Sequence, residues 1–280
     1  LKGGSNNFGV VTRFDLETIS IGNFLGGVVV YPVSTLATQQ AAFMKFMDPS
    51  NFDPHAAVIQ AYVYDGPAEG VLVSNDMEYT LPSISTPPAL SEFLSIQPLY
   101  LNTMRQGPQL DFVTEQAEYQ PTNARGMFIN TVFSPTLAVY QEIFSLWSQT
   151  VPQVSAVTDL GYNLVFQRIP STVPGADNSL GLPANSGSLV LLQLSNSWGL
   201  ATDDALMTVV ATQLIADIEK ATKAAGVYNR FQYLNYAAQS QTPLDNYGAA
   251  SKSNLVAVSK KYDPQGLFQT GVPGGFKLSQ

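Results

Sequence analysis

The sequence predicts an α+β fold, with a mainly antiparallel β-sheet flanked on one face by helices. Two patterns carry this expectation. Short runs rich in β-branched and aromatic residues recur along the chain and pair as hairpins. Between them stand stretches with apolar residues three and four apart, the signature of helices resting on a sheet. No internal repeat interrupts the series.

In chain order, residues 8–20 (FGVVTRFDLETIS) alternate roughly and read as a strand, followed by a second, apolar strand at 25–31. Residues 34–47 read as a helix, with Leu36, Gln40, Phe43 and Met47 on one stripe and Pro49 as its stop. Residues 57–64 and 70–79 form a hairpin across Asp65, Gly66 and Pro67. A short helix at 110–119 and a strand at 126–133 follow. A helix then opens at Ser134-Pro135 and runs to Thr150, with proline in its favoured first turn. Strands are expected at 161–168 and 188–197, separated by a Pro/Gly/Ser-rich loop at 172–186.

The clearest helix is 203–225. Thr202 is placed to cap it, and Asp203 and Asp204 favour its dipole. Leu206, Val210, Leu214, Ile218 and Ala221 form its buried stripe, and Gly226 ends it. A short strand at 231–236, a helix at 250–262 and an irregular tail at 266–278 complete the chain.

Composition narrows the function. Thirteen Lys+Arg against 21 Asp+Glu leave a net charge of −8, which argues against a nucleic-acid or anionic-membrane partner. The absence of cysteine excludes disulfides, thiol nucleophiles and zinc ribbons. Hydrophobic residues make up 45%, enough for a large core, yet no run reaches the roughly 20 apolar residues of a membrane span. Neither a secretory leader nor a glycosylation sequon stands in this chain, and the compartment stays unassigned. The opening on Leu1 and a glycine-rich turn is what the second half of a longer polypeptide would show.

Several residues are candidates for chemistry. Gly3, Gly4 and Gly9 sit in GGSNNFG, where missing Cβ atoms let a flat ring or phosphate approach the backbone; the plain alternative is a turn. The spacing is not that of a Rossmann fingerprint. On strand 189–198, Val190, Leu192 and Leu194 share one face, and Gln193, Ser195 and Ser197 the other. Gln193 is therefore either a pocket residue or an ordinary solvent-facing glutamine. Tyr236 can either hydrogen-bond a substrate or pack by its ring. Gln60, Tyr62 and Tyr64 share a face and either line a polar-aromatic pocket or form an ordinary exposed sheet face. His55 stands alone in a loop. No nucleophile elbow, HExxH or P-loop is present.

Three segments together carry a family resemblance. LKGGSNNFGVVTRFDLET at 1–18 resembles the glycine-rich stretch closing the FAD-binding domain of berberine bridge enzyme-like oxidases, flavoproteins of the vanillyl-alcohol-oxidase type, in a fungal-looking version. YLNY and PLDNYG within 228–248, and KYDPQGLFQTGVPGGFKL at 261–278, resemble the family's C-terminal segment. The resemblance implies the end of an FAD-binding domain at 1–20, a substrate-binding domain at 21–230 and a berberine-bridge segment at 231–280. It also implies FAD as cofactor and a small-molecule substrate (an alcohol, sugar or amine). Hydride would pass to flavin, with oxygen as acceptor.

Residue by residue, Gly3, Gly4, Asn7, Phe8, Gly9 and Val11 match the flavin-contacting stretch. Ser5 replaces a third glycine. Asn235 and Tyr236 match an Asn-Tyr pair beside the flavin, and Leu234 stands where some relatives carry another tyrosine. Gln193 matches the Glu or Gln that faces substrate. As an amide it cannot accept a proton at neutral pH, so it orients a hydroxyl while a tyrosinate or water removes the proton. The N-terminal FAD-binding domain and its covalent flavin linkage are the expected missing partner, without which this chain alone should bind FAD poorly. The rival readings are a non-catalytic remnant or binding module that keeps the fold without flavin, and a carbohydrate-binding or hydrolytic domain built on Gln60, Tyr62 and Tyr64.

Overall fold

The computed structural model describes residues 2–82, 86–120, 122–169, 178–182 and 187–278. The expected α+β architecture is present. Among the described residues nine strands form one sheet: β1 Phe24–Pro32, β2 Ala56–Tyr64, β3 Val71–Tyr79, β4 Leu101–Asn102, β5 Arg105–Gly107, β6 Arg125–Phe133, β7 Gly161–Ile169, β8 Leu189–Trp198 and β9 Tyr228–Asn229. Their order is β4-β1-β3-β2-β7-β8-β6-β9, with β5 also on β1, and the pairings are antiparallel.

The helices among the described residues are α1 Leu36–Met47, α2 Gly66–Glu69, α3 Ser91–Leu94, α4 Gln109–Glu118, α5 Leu137–Val154, α6 Asp204–Ala224, α7 Pro243–Asn246, α8 Ala249–Tyr262 and α9 Leu267–Thr270. The long helices α1, α5 and α6 bury their apolar stripes on one sheet face. There Phe43, Met47, Trp147, Leu214 and Ile218 meet Tyr62, Leu164, Phe166, Val190, Leu192 and Leu194. Each such side chain, fully buried, contributes about 1.5–3 kcal/mol.

The hairpin expected at 57–64 and 70–79 forms with Tyr64 opposite Val71. In α6 the stripe Val210, Leu214, Ile218 and Ala221 is buried, whereas Leu206 is exposed. Thr202 does not cap this helix; a 3-10 turn at Ala201–Asp203 leads into it, and no side chain caps it. Helix α5 starts later and ends later than expected. Thr136 caps it, and it runs through Pro152 because Val151 and Val154 are buried beyond that point. Their burial offsets the one hydrogen bond that proline cannot donate.

Two expected strands are absent. Residues 9–23 have no regular structure, and Val10, Phe14, Leu16 and Ile19 are exposed. An extended β-branched segment becomes a strand only when a neighbour accepts its backbone groups, and no described segment does so. Residues 231–236 contain a 3-10 turn at Leu234–Tyr236 instead of a strand, since β6 pairs only with Tyr228 and Asn229 on that side. The loop expected at 172–186 lies outside the described residues apart from 178–182.

The sheet face opposite α1, α5 and α6 is a trough. One end is covered by the C-terminal segment, where Leu244, Tyr247, Leu255 and Leu278 pack with Leu189 and Leu191. The other is covered by α4: a Cβ on Gly26 of β1 would stand 3.1 Å from the Phe112 ring. Between the covers, β2, β7 and β8 leave Ile59 37% exposed and Asn163, Val165, Gln167, Ser195 and Ser197 partly exposed.

Candidate active site on the open sheet face

Strand alternation puts Gln193 on the trough side of β8, as expected, with Asn130 of β6 directly opposite on one flank and Val165 of β7 on the other. Gln193 is only 5% exposed, yet its amide makes no hydrogen bond among the described residues. Its amide therefore keeps donor and acceptor capacity that a ligand on the trough can take up.

Asn130 is spent on architecture. It accepts from the backbone N–H of Tyr233 (2.8 Å) and donates to the Tyr233 carbonyl (3.1 Å). This holds the turn carrying Asn235 and Tyr236 beside the strand. Gln241 completes the hold through the Asn130 backbone, donating to its carbonyl at 2.7 Å and accepting from its N–H at 3.1 Å. The Tyr236 ring meets Phe128 of β6 edge-on, with centroids 5.6 Å apart. Its hydroxyl makes no hydrogen bond among the described residues, and the ring is half-buried. Asn235 is exposed and donates to the Tyr233 hydroxyl at 2.8 Å.

The glycine-rich turn reaches the same end of the trough. Phe8 packs in the cluster that contains Leu191, Val132 and Tyr236. Asn7 is fully buried and clamps the two chain ends. It donates to the carbonyls of Gly4 and Phe276, both at 2.8 Å, and accepts from the Leu278 N–H at 3.3 Å. Gly4 is required locally, because a Cβ there would lie 1.6 Å from the Phe8 ring. The fold itself therefore uses Gly4, Asn7 and Phe8. Gly3 has φ +80° and stands against Leu180 and Ser179; Gly9 has open space around its Cβ position. Val11 begins the exposed apolar arm at 46% exposure.

Gln60, Tyr62 and Tyr64 do not line the trough. Their face of β2 is the one under the helices, and the three are 0%, 0% and 8% exposed. Gln60 donates to Asn75 (3.0 Å) and Gln39 (3.3 Å) and accepts from Tyr140 at 2.5 Å. Burial pushes the Tyr62 and Tyr140 phenols well above the usual tyrosine range, so neither serves as a base. The hydrolytic or carbohydrate reading loses its residues with them. The parity error has a simple cause: polar residues can occupy the covered face when they satisfy one another. His55 lies beside Thr80, its Nδ1 3.1 Å from Oγ1.

Sequence reasoning missed Asn130, Asn163 and Phe128. The residue parity of β6 carries a signal for Phe128 and Asn130; which face that parity serves is set by pairing to β8. It also missed Asp76 of β3, on the trough side beneath α4, which accepts from Gln116 at 2.8 Å. Burial, then the nearby Glu78 and Glu115 carboxylates, raise its pKa to about 7. Two clefts flank 237–241. One, about 710 Å³, is lined by Gln241, Lys252, Gly275 and Lys277; the other, about 1050 Å³, by Arg125, Phe128, Trp198 and Gln239. Gln193 lines neither.

Relatives decide what kind of molecule this geometry belongs to. An FAD-dependent monooxygenase, sdcF of Emericella nidulans, is 32% identical over 290 residues, covering 100% of this chain and 60% of that protein. Another, drtC of Aspergillus calidoustus, is 32% identical over 289 residues, covering 100% of this chain and 54% of that protein. The chain is a relative of FAD-linked oxidoreductases. The oligopeptidase PhomG' of Diaporthe leptostromiformis is 33% identical over 285 residues, but these are only 23% of its length.

Among solved structures, 6-hydroxy-D-nicotine oxidase from Arthrobacter nicotinovorans superposes with a TM-score of 0.75 at 18% identity, over 96% of this chain and 58% of that one. Xylooligosaccharide oxidase from Myceliophthora thermophila superposes with a TM-score of 0.65 at 14% identity, over 95% and 58%. The chain therefore shares the fold of the matching part of these two oxidases. The chain spans less than two thirds of the length of the curated relatives it matches. No protein-family model matches it.

For this FAD-linked relative, the residues present fit one wall of a flavin site. Gln193 offers an amide with no hydrogen bond among the described residues, Phe128 and Tyr236 give an aromatic edge, and the backbone at Gly9 is open to close approach. Among the described residues no helix is long and apolar enough to cross a membrane, and no group of three metal-ligating side chains stands together.

Proposed function

We propose that this chain is the substrate-facing portion of an FAD-dependent oxidoreductase. The observation that carries the reading is Gln193, buried, unpartnered and on the trough face between β6 and β7. FAD, when bound, supplies the hydride acceptor, with oxygen as the final oxidant. Gly3, Gly9, Val11 and Asn235 are the residues we assign to holding it, with Asn7 and Phe8 fixing the turn from behind.

The chain's own contribution is binding and orientation. Gln193 holds the substrate's reacting group on the trough floor and cannot take its proton. Tyr236 stands at the rim and relays that proton: its phenol oxygen takes it as the phenol's own proton passes to water. The cap formed by 231–278 and the glycine turn keeps bulk water from one end of the trough.

The exposed arm at 9–23 supports a partner in the same polypeptide. It offers unpaired backbone and apolar side chains to the sheet of an N-terminal FAD-binding domain, so that 1–20 ends one domain and 21–230 forms the next. Substrates in view are alcohols, sugars and amines.

The deciding experiment compares visible spectra and oxygen uptake of this 280-residue chain with those of the longer product of its gene. Flavin absorption and substrate-dependent oxygen uptake in the longer product alone are expected. A longer product that purifies colourless and takes up no FAD would overturn the reading and favour a non-catalytic module.

A further inference from the structure

The trough floor holds a second orphan near Gln193. The side-chain oxygen of Asn163, on β7, is buried and has no hydrogen-bond partner among the described residues. Asn163 lies opposite Ser195, and Gln193 lies opposite Val165, so the two amides are diagonal neighbours on adjacent strands. Such neighbours are about 7–8 Å apart, within joint reach of a single bound group. The described residues provide no donor for the Asn163 oxygen and no partner for the Gln193 amide.

We infer that Asn163 and Gln193 form an amide pair that grips one uncharged hydroxyl of the substrate, and that Asn163 is a specificity-determining residue. The inference rests on the oxidoreductase reading and narrows its substrate class.

Complementarity makes the choice. Asn163 offers an acceptor where a donor is missing, and Gln193 offers both functions. A hydroxyl gives one donor and accepts in return, so it satisfies both amides at once. A carboxylate brings no donor and sets its charge against the Asn163 oxygen. It also meets a trough whose end carries Asp76 and Glu78 on the same face. An ammonium brings only donors and needs a carboxylate beside it to offset its desolvation. The residues flanking the pair on this face are Ala61, Val63, Val165 and Ser195, and none is charged. A site built to hydrogen-bond a hydroxyl rejects analogues lacking one, because its own amides then stay unpaired.

The test uses the complete flavoprotein and three probes of one skeleton: benzyl alcohol, benzylamine and benzoate. Binding is read by calorimetry, and flavin content by absorbance. Benzyl alcohol is expected to bind at least tenfold more tightly than the other two. Asn163→Leu and Gln193→Met are each expected to weaken it about tenfold or more, with the double variant little worse than either single one, since both amides hold the same group. Asn163→Ala serves where the leucine variant does not fold. Tighter binding of benzylamine or benzoate, no binding of benzyl alcohol, or unchanged binding in the folded variants overturns the inference. Flavin content separates this from the parent reading: a yellow protein that prefers benzylamine sinks the hydroxyl pair alone, whereas a protein without flavin sinks the oxidoreductase.

Discussion

Gln241 acts toward Asn130 as a neighbouring strand would. Its side-chain amide donates to the Asn130 carbonyl and accepts from the Asn130 N–H, closing a stretch of β6 edge that β9 does not reach. The same oxygen accepts from the Ala238 N–H at 3.1 Å, so one side chain ties the 233–241 segment to the sheet. Gln241→Leu leaves these buried backbone groups unpaired. It is expected to cost about 3 kcal/mol or more, at about 1–3 kcal/mol for each of the three unpaired groups. Denaturant unfolding measures the loss. Hydrogen exchange at Asn130 rises with it, and an unchanged exchange rate there rejects the strand-surrogate role.

Asn7 ties the amino end to the carboxyl end. Asn7→Ala removes its bonds to Gly4, Phe276 and Leu278. The expected result is a frayed tail, cut by protease after 263 under conditions where the parent survives, with global unfolding weakened by about 2–3 kcal/mol.

The arm at 9–23 is expected to matter for assembly and hardly at all for the stability of the sheet. Phe14 and Leu16 are 76% and 82% exposed. Phe14→Asp with Leu16→Asp should leave unfolding of this chain within about 0.5 kcal/mol, as exposed substitutions do. Self-association of the chain, read by sedimentation, should fall. In the complete protein the same pair should lose flavin. Retention of full flavin content removes the docking role.

Asp76 makes stability depend on pH. Its pKa rises from 3.8 in the unfolded chain to about 7 when folded, so the folded state binds the proton more tightly. The resulting stabilisation is complete below pH 3.8 and disappears as pH rises through about 7. Asp76→Asn should therefore raise Tm relative to the parent above pH 7 and converge with it near pH 4. A Tm difference that is constant across this window contradicts the assignment.

Tyr236→Phe tests proton handling. In the complete flavoprotein kcat is expected to fall about 100-fold, within the usual range for a lost general base, with a small change in KM. The pH dependence of kcat should flatten. A variant that keeps both kcat and its pH profile returns Tyr236 to a packing role against Phe128.

The sequence by itself determined the strand and helix periods, the fold class and the family resemblance, because these depend on local spacing and on contiguous motifs. Leu192 and Gln193 were assigned to opposite faces by alternation alone. Which face is covered is a different matter: it is set by strand pairing and by where the helices pack. Hence Gln60 and Tyr62 sit under α1 and α5 and line no pocket, Gln60 satisfied by Gln39, Asn75 and Tyr140, and Tyr62 donating to Gln60. The same holds for 9–23, whose composition is that of a strand while its pairing depends on a neighbour that local sequence does not encode. Only the tertiary structure set Asn163 beside Gln193 and Gln241 against Asn130. Those pairs join residues 30 and 111 positions apart; strand register decides the first, and the path of 233–241 along β6 the second.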